Sequence, residues 1–233
     1  MSKVINNKHI LCLVLARGGS KSVPRKNIRL LNGKPLLSYA LTEALKVFPK
    51  VYLSTEDSEI AQVAKEYGAT TLNRPSKLAQ DDSKSIEVVK CHLKELYSLE
   101  GSFDAILLIN SCTPFLKKES IEEVVNLALS TKADSVTSLV EDFSAHPSKV
   151  CYLVGDNIFP TNTSYTFETG ERQKLSKIYR RNTCLYLATV KTIKNGSFFG
   201  KNAKGVIMKQ EESLDINSPY DFLIAELYAK YGL

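Results

Sequence analysis

Short apolar runs alternate with longer amphipathic stretches along this chain, and that alternation constrains its fold more than any other feature. Strands are expected over 9–15, 50–54, 69–72, 103–109, 135–140, 183–190 and 205–208. Helices are expected from Pro35 to 45, from Asp57 to Tyr67, over 82–99 and 118–130, and from Ser218-Pro219 to Tyr231. The run 103–109 is nearly all apolar, as a strand buried on both faces is. Such a pattern predicts βαβ units, with a largely parallel sheet covered by helices on both faces. From 141 to 178 the periodicity decays around Pro147, Pro160, Asn162, Thr163 and Gly170, so this stretch reads as an arm inserted in one domain spanning 1–233.

At 233 residues and 43% hydrophobic content, the chain is long and apolar enough to bury a full core. The longest apolar runs, 10–16 and 105–109, fall far below the ~20 residues of a membrane helix, so no span is expected. Residues 1–8 lack the apolar core and cleavage site of a secretory signal, which predicts a cytoplasmic protein. Five cysteines (Cys12, Cys91, Cys112, Cys151, Cys184) form no C-x-x-C pair and read as reduced core residues. His9, His92 and His146 show no ligand spacing with them, which argues against structural zinc.

Charge is more informative by position than by total. Eight of the 31 Lys and Arg residues precede Glu43, the first acid in the chain, so the whole positive excess is N-terminal. Basic arms that bind nucleic acid are usually disordered, whereas this segment is built into an apolar strand and a Pro-initiated helix. A focused site for small phosphates fits better, and no nucleic-acid partner is expected. At its centre, the strand over 9–15 runs into Arg17-Gly18-Gly19-Ser20-Lys21, followed by Pro24-Arg25-Lys26-Asn27. Paired glycines allow tight turns and close backbone approach, and four cations within a few positions can meet a polyanion. Neither the Walker A spacing nor G-x-G-x-x-G is present.

The combination resembles the CMP-N-acetylneuraminate (acylneuraminate, CMP-sialate) cytidylyltransferase family, including the CMP-legionaminate type. Four further segments carry the likeness. They are Asn73-Arg74-Pro75 with Leu78-Ala79-Gln80-Asp81-Asp82-Ser83, Leu108 to Pro114, Glu171-Arg172-Gln173 with Tyr179-Arg180-Arg181-Asn182, and Ser213 to Pro219. The fold the resemblance implies is α/β, a Rossmann-like nucleotidyltransferase fold with a small dimerisation arm. It implies that CTP is held by Ala16, Arg17, Gly18, Gly19, Ser20, Lys21, Lys26, Asn27, Arg74 and Asp82. It likewise implies that a nonulosonic acid is held by Asn110, Cys112, Thr113, Arg172, Gln173, Arg180 and Asn182. Asn110 and Cys112 depart from the family, which usually has Gln and Thr there.

Lys21, Arg17 and Asp215 are the implied catalytic residues, with the cations stabilising charge as pyrophosphate leaves. Asp215 and Asn217 stand where the family shows Asp-Ile-Asp. If that segment is a strand, both face the same way and can reach one Mg2+ (or Mn2+). Asn217 brings an amide where the family has a second carboxylate. The implied product is a CMP-sugar for surface glycans, made by a homodimer, with no membrane partner. The alternatives are a cytidylyltransferase for legionaminate, pseudaminate or Kdo, or a nucleotide-sugar-binding subunit without catalysis.

Overall fold

The computed structural model describes residues 9–161 and 175–232. Its frame comes from the apolar runs: β1 (Ile10–Leu15), β2 (Leu30–Leu31), β3 (Lys34–Pro35), α1 (Leu36–Leu45), β4 (Val51–Thr55), α2 (Ser58–Glu66) and β5 (Thr70–Asn73). There follow α3 (Ser85–Glu100), β6 (Ala105–Asn110), α4 (Lys118–Thr131), β7 (Ser135–Glu141), β8 (Cys151–Val154) and β9 (Asn157–Pro160). The chain ends with β10 (Tyr179–Thr189), α5 (Val190–Lys194), β11 (Ala203–Ile207) and α6 (Pro219–Tyr231).

Seven strands form one sheet in the order β11-β7-β10-β6-β1-β4-β5. All run parallel except β10, which pairs antiparallel with both β6 and β7. Strand alternation sorts the core into two layers. Cys12, Val14, Leu107 and Ile109 pack with Leu37, Leu41, Ile60, Ile121 and Val124 of α1, α2 and α4. Leu13, Tyr52, Ile106 and Leu108 pack with Val89, Leu93, Leu96 and Ile193 of α3 and α5 on the other face. Helices therefore cover both faces, as the sequence predicts.

The chain leaves β1 toward β4 and β5, then returns to place β6 on the other side of β1. Ligands of open parallel sheets bind at such a reversal, beyond the carboxyl ends of the strands. Here those ends carry the glycine loop after Leu15 and the segment after Asn110.

Three local expectations are corrected. The helix expected from Asp82 starts at Ser85, with Lys84 at its N-cap and no side-chain cap. Ser83 Oγ instead accepts from Gln80 N at 3.0 Å and closes a separate turn. Residues 214–217 are not a strand; Ile216 N donates to the Cys112 carbonyl at 3.0 Å and ties this segment to the loop after β6. Cys91 and Cys151 are exposed, while Cys12, Cys112 and Cys184 are buried. Within the arm, β8 and β9 make an antiparallel hairpin.

Candidate active site

At the reversal point lies a cavity of about 600 Å³, lined among others by Arg17, Ser20, Lys21, Lys26 and Asn27 of the glycine-loop segment and by Arg74, Asn110 and Cys112. The glycine loop is held at both ends. Ala16, fully buried, donates its N–H to the Ser54 carbonyl at 3.1 Å. Asn27, also buried, donates Nδ2 to the Arg17 carbonyl at 2.8 Å, while its Oδ1 lies 2.7 Å from Ser111 Oγ. Gly18 N donates to Glu56 Oε1 at 2.7 Å, and a Cβ on Gly18 would stand 2.4 Å from Asp57 Oδ2. Only glycine permits that approach. Among the described residues nothing comes within 4 Å of a Cβ built on Gly19. Arg25 adopts the left-handed conformation at φ 54° and pairs with Asp57 and Glu59, fastening the loop to the start of α2.

The cavity cations already have partners. Arg17 Nη1 lies 2.8 Å and Lys21 Nζ 2.5 Å from the carboxylate of Asp81, and this pairing holds Asp81 below the ordinary carboxylate value, Lys21 contributing most. Lys26 Nζ donates to the Ile216 carbonyl at 2.6 Å, and so reaches across to the segment of Asp215. Arg74 is 5% exposed, with Nη2 donating to the Ser54 carbonyl at 2.8 Å and Nε to Ser54 Oγ at 3.1 Å. Asp82 is exposed and does not line the cavity; Asp81 does.

Asp215 accepts from Asn110 Nδ2 at 3.2 Å and from Asn217 Nδ2 at 2.9 Å, and its Oδ2 lies 2.8 Å from Thr183 Oγ1. Thr183 comes within reach because β10 shifts register between Arg181 and Tyr186 and Thr183 itself sits at φ 62°. A second recess of about 450 Å³ adjoins the first through Thr183 and Asn217 and adds Arg180, Asp215 and Tyr228. Arg180 donates Nε to Asp142 at 2.7 Å; Ser144 and Arg180 together hold Asp142 down to about 2.

Asn182 and Thr113, also named from the sequence, stand apart from the cavities. Asn182 is 1% exposed, accepts from Ser138 Oγ at 2.5 Å and donates to Ser213 Oγ at 2.8 Å. Thr113 is fully buried and donates to the Asn110 carbonyl at 2.9 Å, shaping the loop from below. Arg172 and Gln173 lie outside the described residues. Burial pushes the Cys112 thiol up, so it is a small packed side chain beside Ser111 and Asn27. The sequence reading missed Asp81 as the partner of the loop cations. It also missed an aromatic wall, where Tyr186 packs against Phe198 at 5.6 Å and Phe199 at 6.1 Å beside the main cavity. Sequence distance conceals that wall.

Among the described residues no cluster of three or more His, Cys, Asp or Glu could hold a metal ion alone. Magnesium is commonly bound by one or two carboxylates plus substrate phosphates, and Asp215, facing the cationic loop across Lys26, fits that donor set.

The family model described as Cytidylyltransferase matches residues 11–152. The chain belongs to the cytidylyltransferase family. It is similar, at 34% identity, to the CMP-N,N'-diacetyllegionaminic acid synthase of Legionella pneumophila, over 93% of this chain and 94% of that one. It is 32% identical to N-acylneuraminate cytidylyltransferase A of Danio rerio, of which it spans 50%. The pseudaminic acid cytidylyltransferase of Campylobacter jejuni serotype O:2 is 29% identical over 94% of this chain and 96% of its own length. In fold, this cytidylyltransferase matches a CMP:2-keto-3-deoxy-manno-octonic acid synthetase with a TM-score of 0.72 at 13% identity, over 96% of this chain and 99% of that one. Its sheet is thus the α/β nucleotidyltransferase architecture. No helix among the described residues is long and apolar enough to cross a membrane.

Proposed function

We propose that this cytidylyltransferase couples CTP to a nonulosonic acid, joining the anomeric oxygen of the sugar to the α-phosphorus and releasing pyrophosphate. The observation that carries the reading is the convergence of Arg17, Lys21, Lys26 and Arg74 on one cavity at the sheet reversal. A triphosphate brings several negative charges, enough to displace the single carboxylate of Asp81 from Arg17 and Lys21. The same cations then stabilise the charge gathering on the leaving pyrophosphate, which is catalysis by positioning and electrostatics.

The acid-sugar is proposed to occupy the neighbouring recess, where the terminal nitrogens of Arg180 can pair its carboxylate while Nε stays on Asp142. Asn110 lines the main cavity, with Nδ2 on Asp215 and Oδ1 accepting from Cys112 N, and its second amide hydrogen would serve a sugar hydroxyl. Asp215, with the Asn217 amide beside it and the nucleotide phosphates, would hold Mg2+ (or Mn2+), which when bound supplies Lewis-acid polarisation of the phosphoryl oxygens. In the same reading Asp215 would help to take the proton of the attacking hydroxyl. A homodimer formed through the arm, and a cytoplasmic location where nucleoside triphosphates are held, belong to the same reading.

Pyrophosphate release tests it, measured with CTP, Mg2+ and separate N-acetylneuraminate, legionaminate, pseudaminate and Kdo. Release is expected with at least one nonulosonic acid and identifies it. Release with Kdo alone would move the assignment to that enzyme. CTP binding without release from any acid would overturn the catalytic reading in favour of a nucleotide-binding subunit.

A further inference from the structure

A chain of polar groups runs from the surface of α3 to Arg74, and the reaction described above makes no use of it. Glu95 Oε2, about half exposed, lies 3.3 Å from His92 Nδ1. His92 Nε2 lies 2.8 Å from Ser54 Oγ, and Ser54 Oγ accepts from Arg74 Nε at 3.1 Å. His92, Ser54 and Arg74 are all buried. The three come from the middle of α3, the end of β4 and the residue after β5.

Donor and acceptor chemistry gives this chain one direction. The Glu95 carboxylate only accepts, so Nδ1 of His92 carries the ring proton and Nε2 presents a lone pair. Ser54 Oγ then donates to Nε2, which leaves its own lone pairs for Arg74 Nε–H. The opposite tautomer would set the Nδ1 lone pair against a carboxylate. Burial holds His92 below the ordinary imidazole value, so the ring is neutral, as an acceptor at Nε2 must be. The Ser54 carbonyl takes Arg74 Nη2 at 2.8 Å and also Ala16 N at 3.1 Å, so the residue that grips Arg74 fixes the start of the glycine loop too.

We propose that Ser54, His92 and Glu95 form a positioning relay that fixes the Arg74 guanidinium for the incoming nucleotide. This rests on the CTP reading given above. A guanidinium fixed before binding loses less side-chain entropy when the nucleotide arrives, so the relay acts on CTP affinity and leaves acid-sugar binding alone. A histidine that merely fills the core would lower the melting temperature when replaced and leave the folded protein's affinity intact.

The experiment is calorimetric titration of CTP into the purified protein and its His92→Phe, His92→Gln and Ser54→Ala variants, with each also combined with Arg74→Ala. All are measured at a temperature where circular dichroism shows them folded. Losing one partner of a charged hydrogen-bond chain predicts about tenfold weaker CTP binding for His92→Phe and Ser54→Ala. His92→Gln, which returns an acceptor near the Nε2 position, is expected within about threefold of the parent. Adding His92→Phe to Arg74→Ala is expected to cost less than about twofold further, because the relay acts through Arg74. In turnover assays the KM for CTP rises while the KM for the acid-sugar stays put. Parent-like CTP affinity in folded His92→Phe and Ser54→Ala, or losses that multiply with Arg74→Ala, would overturn the relay. Should His92→Phe fail to fold, Ser54→Ala decides. A parent that binds no CTP overturns the nucleotide reading and the relay together, whereas a parent that binds CTP and releases no pyrophosphate overturns only the reaction.

Discussion

At the scale of single residues, Lys21 shows how the glycine loop is poised. Its side chain is 85% exposed and rests on Asp81, which also takes Arg17. An ion pair so open to water contributes little, so the arrangement keeps the lysine near the cavity without holding it there strongly. A polyphosphate offers more charge and displaces the carboxylate. Because the charge on pyrophosphate grows as the bond to the α-phosphorus breaks, Lys21 matters more in the transition state than in the ground state. Lys21→Ala is therefore expected to lower kcat by roughly 10²-fold with a smaller change in the KM for CTP. Steady-state kinetics at saturating acid-sugar checks this; an unchanged kcat would remove Lys21 from the phosphate site.

At the scale of elements, the start of α6 holds the Asp215 segment in place. Ser218 and Asp221 form a capping box, and Asp221 Oδ2 accepts from Asn217 N at 3.0 Å, Ser218 N at 2.7 Å and Ser218 Oγ at 2.8 Å. One carboxylate thus closes the helix and fixes the backbone beside Asp215. Asp221→Ala is expected to lower stability by about 1–2 kcal/mol, as lost caps do, and to reduce turnover through a misplaced Asp215. Denaturant unfolding and pyrophosphate release measure the two effects separately. A variant destabilised yet fully active would show that Asp215 does not depend on the cap.

Elements were legible where periodicity or a cap spoke for them. The strand expected over 103–109 is β6, and the helix read from Asp57 is α2, with Asp57 accepting from Ile60 N at 3.0 Å. What the sequence concealed is set by distant contacts. Asp82 stands nearest to a helix-cap pattern, yet it is its neighbour Asp81, in the turn that Gln80 N and Ser83 Oγ close, that meets Arg17 and Lys21. His92 reads as an ordinary helix residue until β4 places Ser54 against it, 38 positions away. Asn182 reads as a substrate contact, but the register shift in β10 turns it into the core beside Ser138 and Ser213.

At the scale of the whole molecule, the β8–β9 hairpin gathers exposed apolar side chains. Tyr152, Leu153, Val154, Ile158 and Phe159 are all at least 50% exposed. Tyr152 pairs with Phe159 and Leu153 with Ile158 across the hairpin, so both of its faces are apolar. A two-stranded hairpin is marginal alone in water, and a contiguous apolar patch marks an interaction surface. Twofold symmetry would let each hairpin cover its counterpart or the body of the other copy, and a standard interface takes about 800 Å² from each partner. The protein is therefore expected to migrate in light-scattering chromatography at twice its 25.9 kDa chain mass. Leu153→Asp, which sets a carboxylate opposite Ile158, is expected to shift it to monomer while leaving the distant sheet and its helical signal intact. A monomeric parent, or a Leu153→Asp variant that remains dimeric, would place the dimer contact elsewhere or remove it.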